Sequence, residues 1–460
     1  MSKKLLMNNG GINNRLKVKY TTTEPNSMHT FNSDFVYEIK TKDNYDGTYT
    51  VEIYSDSDFT SFKCNRETLT IDYLAITNNV TKMNRMFEYC KKLVSVNTKG
   101  WDTSSVTNMG EVFYQCKLLT SLDVSNFDTS KVTNIQSMFN GCQSLTSLDV
   151  SNFNTNKVYY SSGFHRIFND CSSLTSLDLS NWTLKGFLTG TFCGCSSLKT
   201  LIIPNYKKAL VGGLKETFYM CNSLTSLDLS NWDVSTMTTF ESTFTACYSL
   251  TEIKGIENWN VSSLENLDNT FSSCSSLTTL DLSSWDVSSV TSMSNTFRDC
   301  SSLTEIKGIE NLRTGSVTNM GGLFGYCSSL ELPNLNSWDT SSVTNMSEMF
   351  AGRSNQSISD LYIQEWNTSR VTNMSWMFYG CINAWYDLHL NWDTYNVTNM
   401  SNMFNGFYDV QYIYINNWST SSLTDVTDMF LECQASSIYV SPDFPYTEED
   451  TSYSSAFIRE

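Results

Sequence analysis

The feature that most constrains the fold is a motif close to Val-Thr-Asn-Met-Ser-x-Met-Phe, which recurs with variation fourteen times. Its phenylalanine returns every 24 to 29 residues, from Phe87 to Phe430. Such a period, held over most of the chain, is typical of a solenoid in which each repeat buries its apolar face against its neighbours. We therefore expect a stack of coils rather than several globular domains.

Each repeat contains two hydrophobic patterns. The stretch SLTSLDLSNW (173–182) has the Leu-x-x-Leu-x-Leu spacing of a short strand. The stretch VTNMSEMF (343–350) instead has apolar residues at its first, fourth, seventh and eighth positions, which is one face of a helix. The sequence thus predicts an α/β solenoid of the leucine-rich-repeat type, with about fourteen coils. Parallel strands are expected on one face and short helices on the other.

The complete repeat is close to VTNMSxMFxGCSSLTSLDLSNWDTSS and covers roughly residues 77–433. It resembles the unit of the BspA-like leucine-rich repeats, which occur in bacterial surface proteins, mycoplasma lipoproteins and some phages. The resemblance implies a non-catalytic scaffold for adhesion or ligand binding. Residues 1–76 lie outside it and are predicted to form a small β-rich module for capping or attachment, with a hairpin at Asp46–Gly47. Residues 434–460 are predicted to form a C-terminal cap and tail.

The composition excludes several classes of partner. The formal net charge is −17, which argues against binding to nucleic acid or to an anionic membrane surface. No apolar run reaches the roughly 20 residues that a membrane-spanning helix needs. The N-terminal stretch MSKKLLMNNGG has too few apolar residues for a secretory signal. We expect a protein without membrane insertion that is released without the usual export signal.

Cysteines, histidines and catalytic motifs are the features that could supply chemistry in this chain. Twelve of the fourteen cysteines share one repeat position, three residues after the phenylalanine, which Arg353 and Phe407 fill in other repeats. This exchange favours buried, reduced thiols over disulfides or metal ligands. The three histidines lie far apart, and no phosphate loop or nucleophile elbow is present. The sequence predicts no catalytic residues and no enzyme.

One strand position varies and is predicted to face solvent on the open side of the sheet. Asp123, Asp149 and Asp178 occupy it in three consecutive repeats. Neighbouring strands would bring these carboxylates to about 5 Å from one another, where they repel unless a cation lies between them. A Ca²⁺ site is one interpretation, and a solvated acidic stripe is the other. No other cofactor is expected.

The same position becomes aromatic towards the C-terminus, with further aromatic residues beside it. Exposed aromatic side chains suit stacking on sugar rings or an aromatic protein interface. The alternative is that they cover the end of the solenoid. The candidate ligand-binding residues are Tyr362, Trp385, Tyr386, His389, Tyr412 and Tyr414.

The leading functional hypothesis is a binding or attachment protein, and specifically a phage tail-associated or virion-surface protein that recognises a host surface protein or glycan. Residues 1–76 would attach it to virion or tail proteins, and it could form a homo-oligomer within the assembly. Two alternatives remain. One is a purely structural virion or tail component, and the other is a bacterial cell-surface adhesin.

Overall fold

The computed structural model describes residues 15–24, 30–31, 38–55, 62–158, 163–184, 186–204, 212–384, 386–445 and 456–459. The chain divides into two compact units. The first comprises Met1–Gly212 and Thr217–Leu224, and the second comprises Gly213–Glu216 and Thr225–Glu460. In the described part of the chain, no helix has the length and apolar character that crossing a membrane requires.

The first unit begins with a mainly antiparallel sheet. Its strands are β1 (Arg15–Thr22), β3 (Glu38–Asp43), β4 (Tyr49–Ser55), β6 (Thr68–Leu74) and β7 (Ser95–Val96), in the order β3-β4-β1-β6-β7, while β2 (Thr30–Phe31) pairs with β5 (Phe62–Lys63). The predicted hairpin is confirmed: β3 and β4 pair antiparallel, and Asp46 accepts the N–H of Thr48 at 2.9 Å. β6 and β7 pair in parallel, so parallel pairing begins with the first coil.

The predicted parallel strands are confirmed in both units. The remaining strands are β8 (Ser176–Asp178), β9 (Thr200–Ile202), β10 (Ser226–Asp228), β11 (Glu252–Lys254), β12 (Thr279–Asp281), β13 (Glu305–Lys307), β14 (Leu388–His389), β15 (Tyr412–Ile415), β16 (Ser437–Val440) and β17 (Ala456–Arg459). Parallel pairs form between β8 and β9, β10 and β11, and β12 and β13. β14 to β17 form a four-stranded parallel sheet in chain order.

The predicted short helices are wrong. In the motif segment VTNMSEMF (343–350), the N–H of Glu348 donates to Ser375 O of the following coil at 2.9 Å, and the N–H of Phe350 donates to Met377 O at 3.1 Å. The N–H of the intervening Met349 bonds within its own coil, to the carbonyl of the residue three positions back. Glu348 also has a φ of 55°, which a right-handed helix does not allow. The segment is a stack of turns, because alternate N–H groups bond between coils.

The threonine and asparagine of the motif add side-chain hydrogen bonds on this side of each coil. Asn319 and Asn345 form a parallel bridge, and Asn345 Nδ2 donates to Asn319 Oδ1 at 3.0 Å. Thr344 Oγ1 donates to the carbonyl of Thr318 in the preceding coil at 3.1 Å. These polar residues therefore hold successive coils together along the turns that replace the predicted helices.

Aromatic and methionine side chains fill the interior, as the sequence predicts. Met346 and Met349 are fully buried, and this confirms that the motif's apolar positions point inward although its backbone is not helical. Successive phenylalanines stack in parallel, with ring centroids 5.8 Å apart for Phe297 and Phe324. The tryptophans form a second buried column, and Trp338 Nε1 donates to Ile309 O of the preceding coil at 2.9 Å. The methionines of this motif and the tryptophans of this column are core residues.

The cysteines are free, and all but Cys193 are buried, as predicted for reduced thiols. The thiol of Cys300 donates to the carbonyl of Phe271 in the preceding coil at 3.1 Å. The thiols that bond to a phenylalanine carbonyl in this way include those of Cys116, Cys142, Cys171, Cys195, Cys221, Cys274, Cys300, Cys327 and Cys381. Burial raises the pKa of Cys142 to about 12, so this thiol stays protonated and unreactive.

Candidate functional site

The acidic residues of the open sheet face accept hydrogen bonds from the backbone within local turns. Asp123, Asp149 and Asp178 are exposed, and each accepts the N–H of the serine two residues later, at 2.8 to 2.9 Å. Hydrogen bonds from these serines lower the pKa of Asp123 and of Asp149. Across the described ranges, no group of three or more His, Cys, Asp or Glu side chains is arranged to hold a metal ion. The predicted Ca²⁺ site stays a prediction.

Three aromatic rings lie in register on the open face of the sheet formed by β14, β15 and β16. Parallel pairing aligns His389 with Tyr414, and Tyr414 with Tyr439. The ring centroids of His389 and Tyr414 are 4.2 Å apart, and those of Tyr414 and Tyr439 are 4.4 Å apart, with nearly parallel planes. We call these three residues the aromatic ladder. Tyr412 meets the ladder edge-on, with its ring centroid 6.3 Å from that of Tyr414.

Stacking within the aromatic ladder determines which ring surfaces a ligand can reach. Both faces of Tyr414 are covered, by His389 on one side and by Tyr439 on the other. Burial raises the pKa of Tyr414, and the neighbouring Tyr439 and Asp387 add to this shift. His389 has one covered face only in this stack, and its other face is directed towards the preceding coil. Tyr439 pairs with Ile458 of β17 on its outer side, so a ligand that stacks on the ladder would meet the His389 end.

Among the described residues no strand lies between β13 and β14, and this includes the coil that precedes β14. A 3-10 helix, Ile358–Leu361, lies at this point, and Tyr362 follows it in the left-handed conformation with a φ of 53°. Tyr362 is 54% exposed and makes no ring contact with His389 among the contacts that the structure describes. The expectation that Tyr362 continues the column of His389 and Tyr414 is therefore wrong, because the 3-10 helix replaces the strand that would align it.

A cavity of about 410 Å³ opens where the strand is missing. We call it the ladder-end cavity, because His389 forms part of its wall. Tyr386 also lines it and is 57% exposed. Trp385, the remaining aromatic candidate, lies outside the described residues. The described lining is Ile358, Ser359, Ile363, Gln364, Tyr386, Asp387, Leu388, His389, Leu390 and Gln411.

One buried side chain holds the wall of the ladder-end cavity in place. Asn383 is fully buried, and its Oδ1 accepts from the N–H and Oγ of Ser359 at 3.0 and 2.8 Å, and from Ser357 Oγ at 3.2 Å. Its Nδ2 donates to Tyr386 O at 2.7 Å, and the N–H of Tyr386 donates back to Asn383 O at 2.9 Å. Asn383 thus ties the loop of Tyr386 to the preceding coil.

The sequence pattern indicates Tyr386, His389, Tyr412 and Tyr414 as candidates. It does not indicate Asn383 and Tyr439, which the structure places in the same region. Asn383 lies in CINA (381–384), which replaces the usual Cys-Ser-Ser-Leu, and this departure from the repeat was a readable signal. Tyr439 was placed in the C-terminal cap. Its stretch SIYV nevertheless repeats the alternation of YIYI (412–415) at the repeat distance.

A family model described as "Mycoplasma protein of unknown function, DUF285" matches residues 81–205, 162–278, 212–307, 303–384 and 353–441. The chain belongs to this family. The match confirms the resemblance of the repeats. Its last range, 353–441, covers β14, β15 and the described residues that line the ladder-end cavity. No curated protein matches the chain.

Among solved structures, the chain is similar to a leucine-rich repeat protein from Bacteroides ovatus, with 17% identity and a TM-score of 0.32, over 93% of this chain and 100% of that one. It is also similar to a chain of the Toll–Spätzle complex of Drosophila, with 13% identity and a TM-score of 0.29, over 78% of this chain and 42% of that one. Both TM-scores are low, so neither likeness supports a conclusion about this protein.

Proposed function

We propose that this protein is a non-catalytic, surface-type binding protein whose ligand docks in the ladder-end cavity. The observation that carries the proposal is the coincidence of a broken strand ladder, a cavity of about 410 Å³ and exposed aromatic side chains in one place. This volume lies within the range of about 300–1,000 Å³ that is usual for small-ligand sites. A chain built almost entirely of repeats favours a scaffold that binds rather than catalyses.

The wall of the cavity is fixed before any ligand arrives. The hydrogen bonds of Asn383 restrain both the loop of Tyr386 and the 3-10 helix that contains Ser359. A preformed wall lowers the ordering cost of binding, because fewer side chains lose freedom when the ligand docks. Tyr386 supplies a large exposed ring at a small entropic cost, as aromatic residues do at binding surfaces.

The finer assignments rest on the sequence. We propose that the ligand is part of a host surface protein or glycan, and that residues 1–76 attach the chain to virion or tail proteins. The resemblance of the repeats to BspA-like leucine-rich repeats favours a surface or secreted protein in general. A bacterial cell surface is the alternative location, and a structural virion part without a ligand is the alternative role.

Binding of the full chain to an oligosaccharide array and to immobilised host-surface glycoproteins tests the proposal. We expect Tyr386→Ala to weaken binding about tenfold, which corresponds to about 1.4 kcal/mol. Tyr395→Ala is the matched control, since Tyr395 is similarly exposed, at 61% against 57% for Tyr386, and lies outside the lining. The proposal fails if the folded wild type binds neither panel, or if both variants bind as the wild type does.

A further inference from the structure

We infer that the ladder-end cavity accepts an uncharged sugar residue and discriminates against anionic sugars. This inference rests on the proposed binding function of the cavity and adds the chemical class of its ligand. It follows from three properties of the described lining: its charge, its hydrogen-bonding groups and the orientation of its aromatic rings.

The charge of the cavity opposes an anionic ligand. Asp387 is the one carboxylate of the described lining, and that lining contains no lysine or arginine. The whole chain has a formal net charge of −17, so no long-range attraction offsets this local repulsion. A sialylated or sulfated sugar would bring its charge close to Asp387 without a lysine or arginine to pair with it. Binding sites for such groups normally supply arginine or lysine for this purpose.

The hydrogen-bonding groups suit neighbouring hydroxyls. The side-chain amides of Gln364 and Gln411 each offer two donor hydrogens and an acceptor oxygen, and the carboxylate of Asp387 adds two acceptor oxygens. A hydroxyl both donates and accepts, so a sugar edge satisfies such a mixed set. A purely apolar ligand would instead leave these groups without partners after water is displaced, which costs free energy.

The aromatic rings provide the apolar part of the site. The stacking of Tyr414 between His389 and Tyr439 removes its faces from the binding surface. Tyr386 and the open face of His389 are then the ring surfaces at the cavity. A sugar ring has an apolar C–H face and a polar edge, and this division matches aromatic rings beside amides and a carboxylate. Tyrosine serves such mixed surfaces because its ring is apolar and its hydroxyl is polar.

An array of neutral, sialylated and sulfated oligosaccharides, probed with the full chain, tests the inference. We expect the tightest binding to neutral glycans, with their sialylated forms at least about tenfold weaker. Gln364→Ala should weaken neutral-glycan binding several-fold, while Asp387→Lys should raise the relative affinity for sialylated glycans about tenfold. Asp387→Asn is the matched control: it keeps the size and removes the charge, so it should reduce the discrimination without reversing it.

The outcomes separate this inference from the proposed function. Preferential binding of sialylated or sulfated glycans by the wild type would overturn the inference. An unchanged preference in folded Asp387→Lys would do the same. If Tyr386→Ala weakens binding in either case, the cavity still binds the ligand and the proposed function stands. If no variant of the lining alters binding, both fail. Circular dichroism and thermal unfolding verify that each variant is folded.

Discussion

Two stretches of the second unit, residues 279–350 and 353–440, are built from the same repeat but depart from it to different degrees. In the first, Cys300 and Cys327 occupy the thiol position, and each bonds to a phenylalanine carbonyl of the preceding coil. In the second, Arg353 and Phe407 replace the cysteine in two coils, and a 3-10 helix replaces a strand. The ladder-end cavity lies in the second stretch.

This difference shows that positions which keep the repeat support the scaffold, whereas positions which depart from it form the candidate binding site. Positions that recur from coil to coil bond or stack onto a recurring position of a neighbouring coil, so each such contact is made many times. Where the repeat is kept, those contacts occupy the backbone and the interior. Where it is interrupted, as at Tyr362 and Asn383, the chain leaves the shared geometry and can form a concave site.

The largest loss of stability in the regular stretch is expected when one ring of its phenylalanine column is removed. Phe324 is fully buried between Phe297 and Phe350, with ring centroids 5.8 and 6.1 Å away. We expect Phe324→Ala to lower the free energy of unfolding by about 3–5 kcal/mol, because it loses the stack and leaves a cavity. Urea unfolding measures this. Tyr395→Ala, at a side chain that is 61% exposed, should change it by less than about 0.5 kcal/mol. Equal losses would contradict the assignment of the column as core.

An intermediate effect of opposite sign is expected at Arg353. Its guanidinium is buried without a carboxylate partner in the described part of the chain, Nη1 has no hydrogen-bond partner there, and burial lowers its pKa. Nη2 donates to Leu330 O and to Gln356 Oε1. Both acceptors also have another donor: Leu330 O accepts from Asn355 Nδ2, and Gln356 Oε1 accepts from the N–H of Leu332. Arg353→Met should therefore raise the free energy of unfolding by about 1–3 kcal/mol, since it removes a buried charge.

The control for Arg353 retains the charge. Arg353→Lys loses the planar arrangement of donors but still buries a cation, so we expect it to be less stable than the wild type. Thermal unfolding of the two variants side by side measures the difference. A methionine variant that is less stable than the wild type would mean that the guanidinium stabilises this coil.

The smallest effect is expected at the turn that follows the tryptophan column, and it appears only in acid. Asp339 accepts the N–H of Ser341 at 3.0 Å, and hydrogen bonds from Ser341 lower its pKa from 3.8. A depressed carboxyl pKa stabilises the fold above the unfolded value, and this contribution is lost as the pH falls through the folded value. Asn367 makes the same turn with Ser369 in another coil. Asp339→Asn should therefore match the wild type at pH 7.

The stability of the two proteins should differ only at acid pH. Between about pH 4 and pH 2, the wild type should lose more stability than Asp339→Asn, because only the carboxylate becomes protonated. Urea midpoints at pH 7 and at pH 3 measure this. Identical pH dependence in both proteins would show that the turn of Asp339 does not contribute to acid sensitivity.

Much of the scaffold is predictable from the sequence because its contacts repeat with the period of the chain. The inward methionines, the buried thiols and the parallel strands all follow from aligning one repeat with the next. The helix prediction failed at Glu348 because a 3.6-residue pattern records which side chains point inward, and it does not record where the N–H groups bond. In this segment alternate N–H groups bond to the next coil.

The site was only partly predictable, for a related reason. Tyr386 and His389 were identified as exposed aromatics, but the cavity depends on backbone geometry around Tyr362 that has no counterpart in the repeat. Asn383 acts through buried hydrogen bonds to the preceding coil, which alignment of repeats does not show. The coverage of both ring faces of Tyr414 also depends on Tyr439 of β16, which the sequence interpretation assigns to the C-terminal cap and not to the repeat.

The most direct test of the central claim compares double variants on the open faces of the two stretches. The double variant Tyr386→Ala/His389→Ala alters the ladder-end cavity, whereas Asp281→Ala/Lys307→Ala alters the paired open-face positions of β12 and β13. On the same oligosaccharide array, we predict that the first variant loses at least about tenfold in affinity and that the second binds as the wild type does. Equal losses in both variants, or a loss only in the second, would contradict the account.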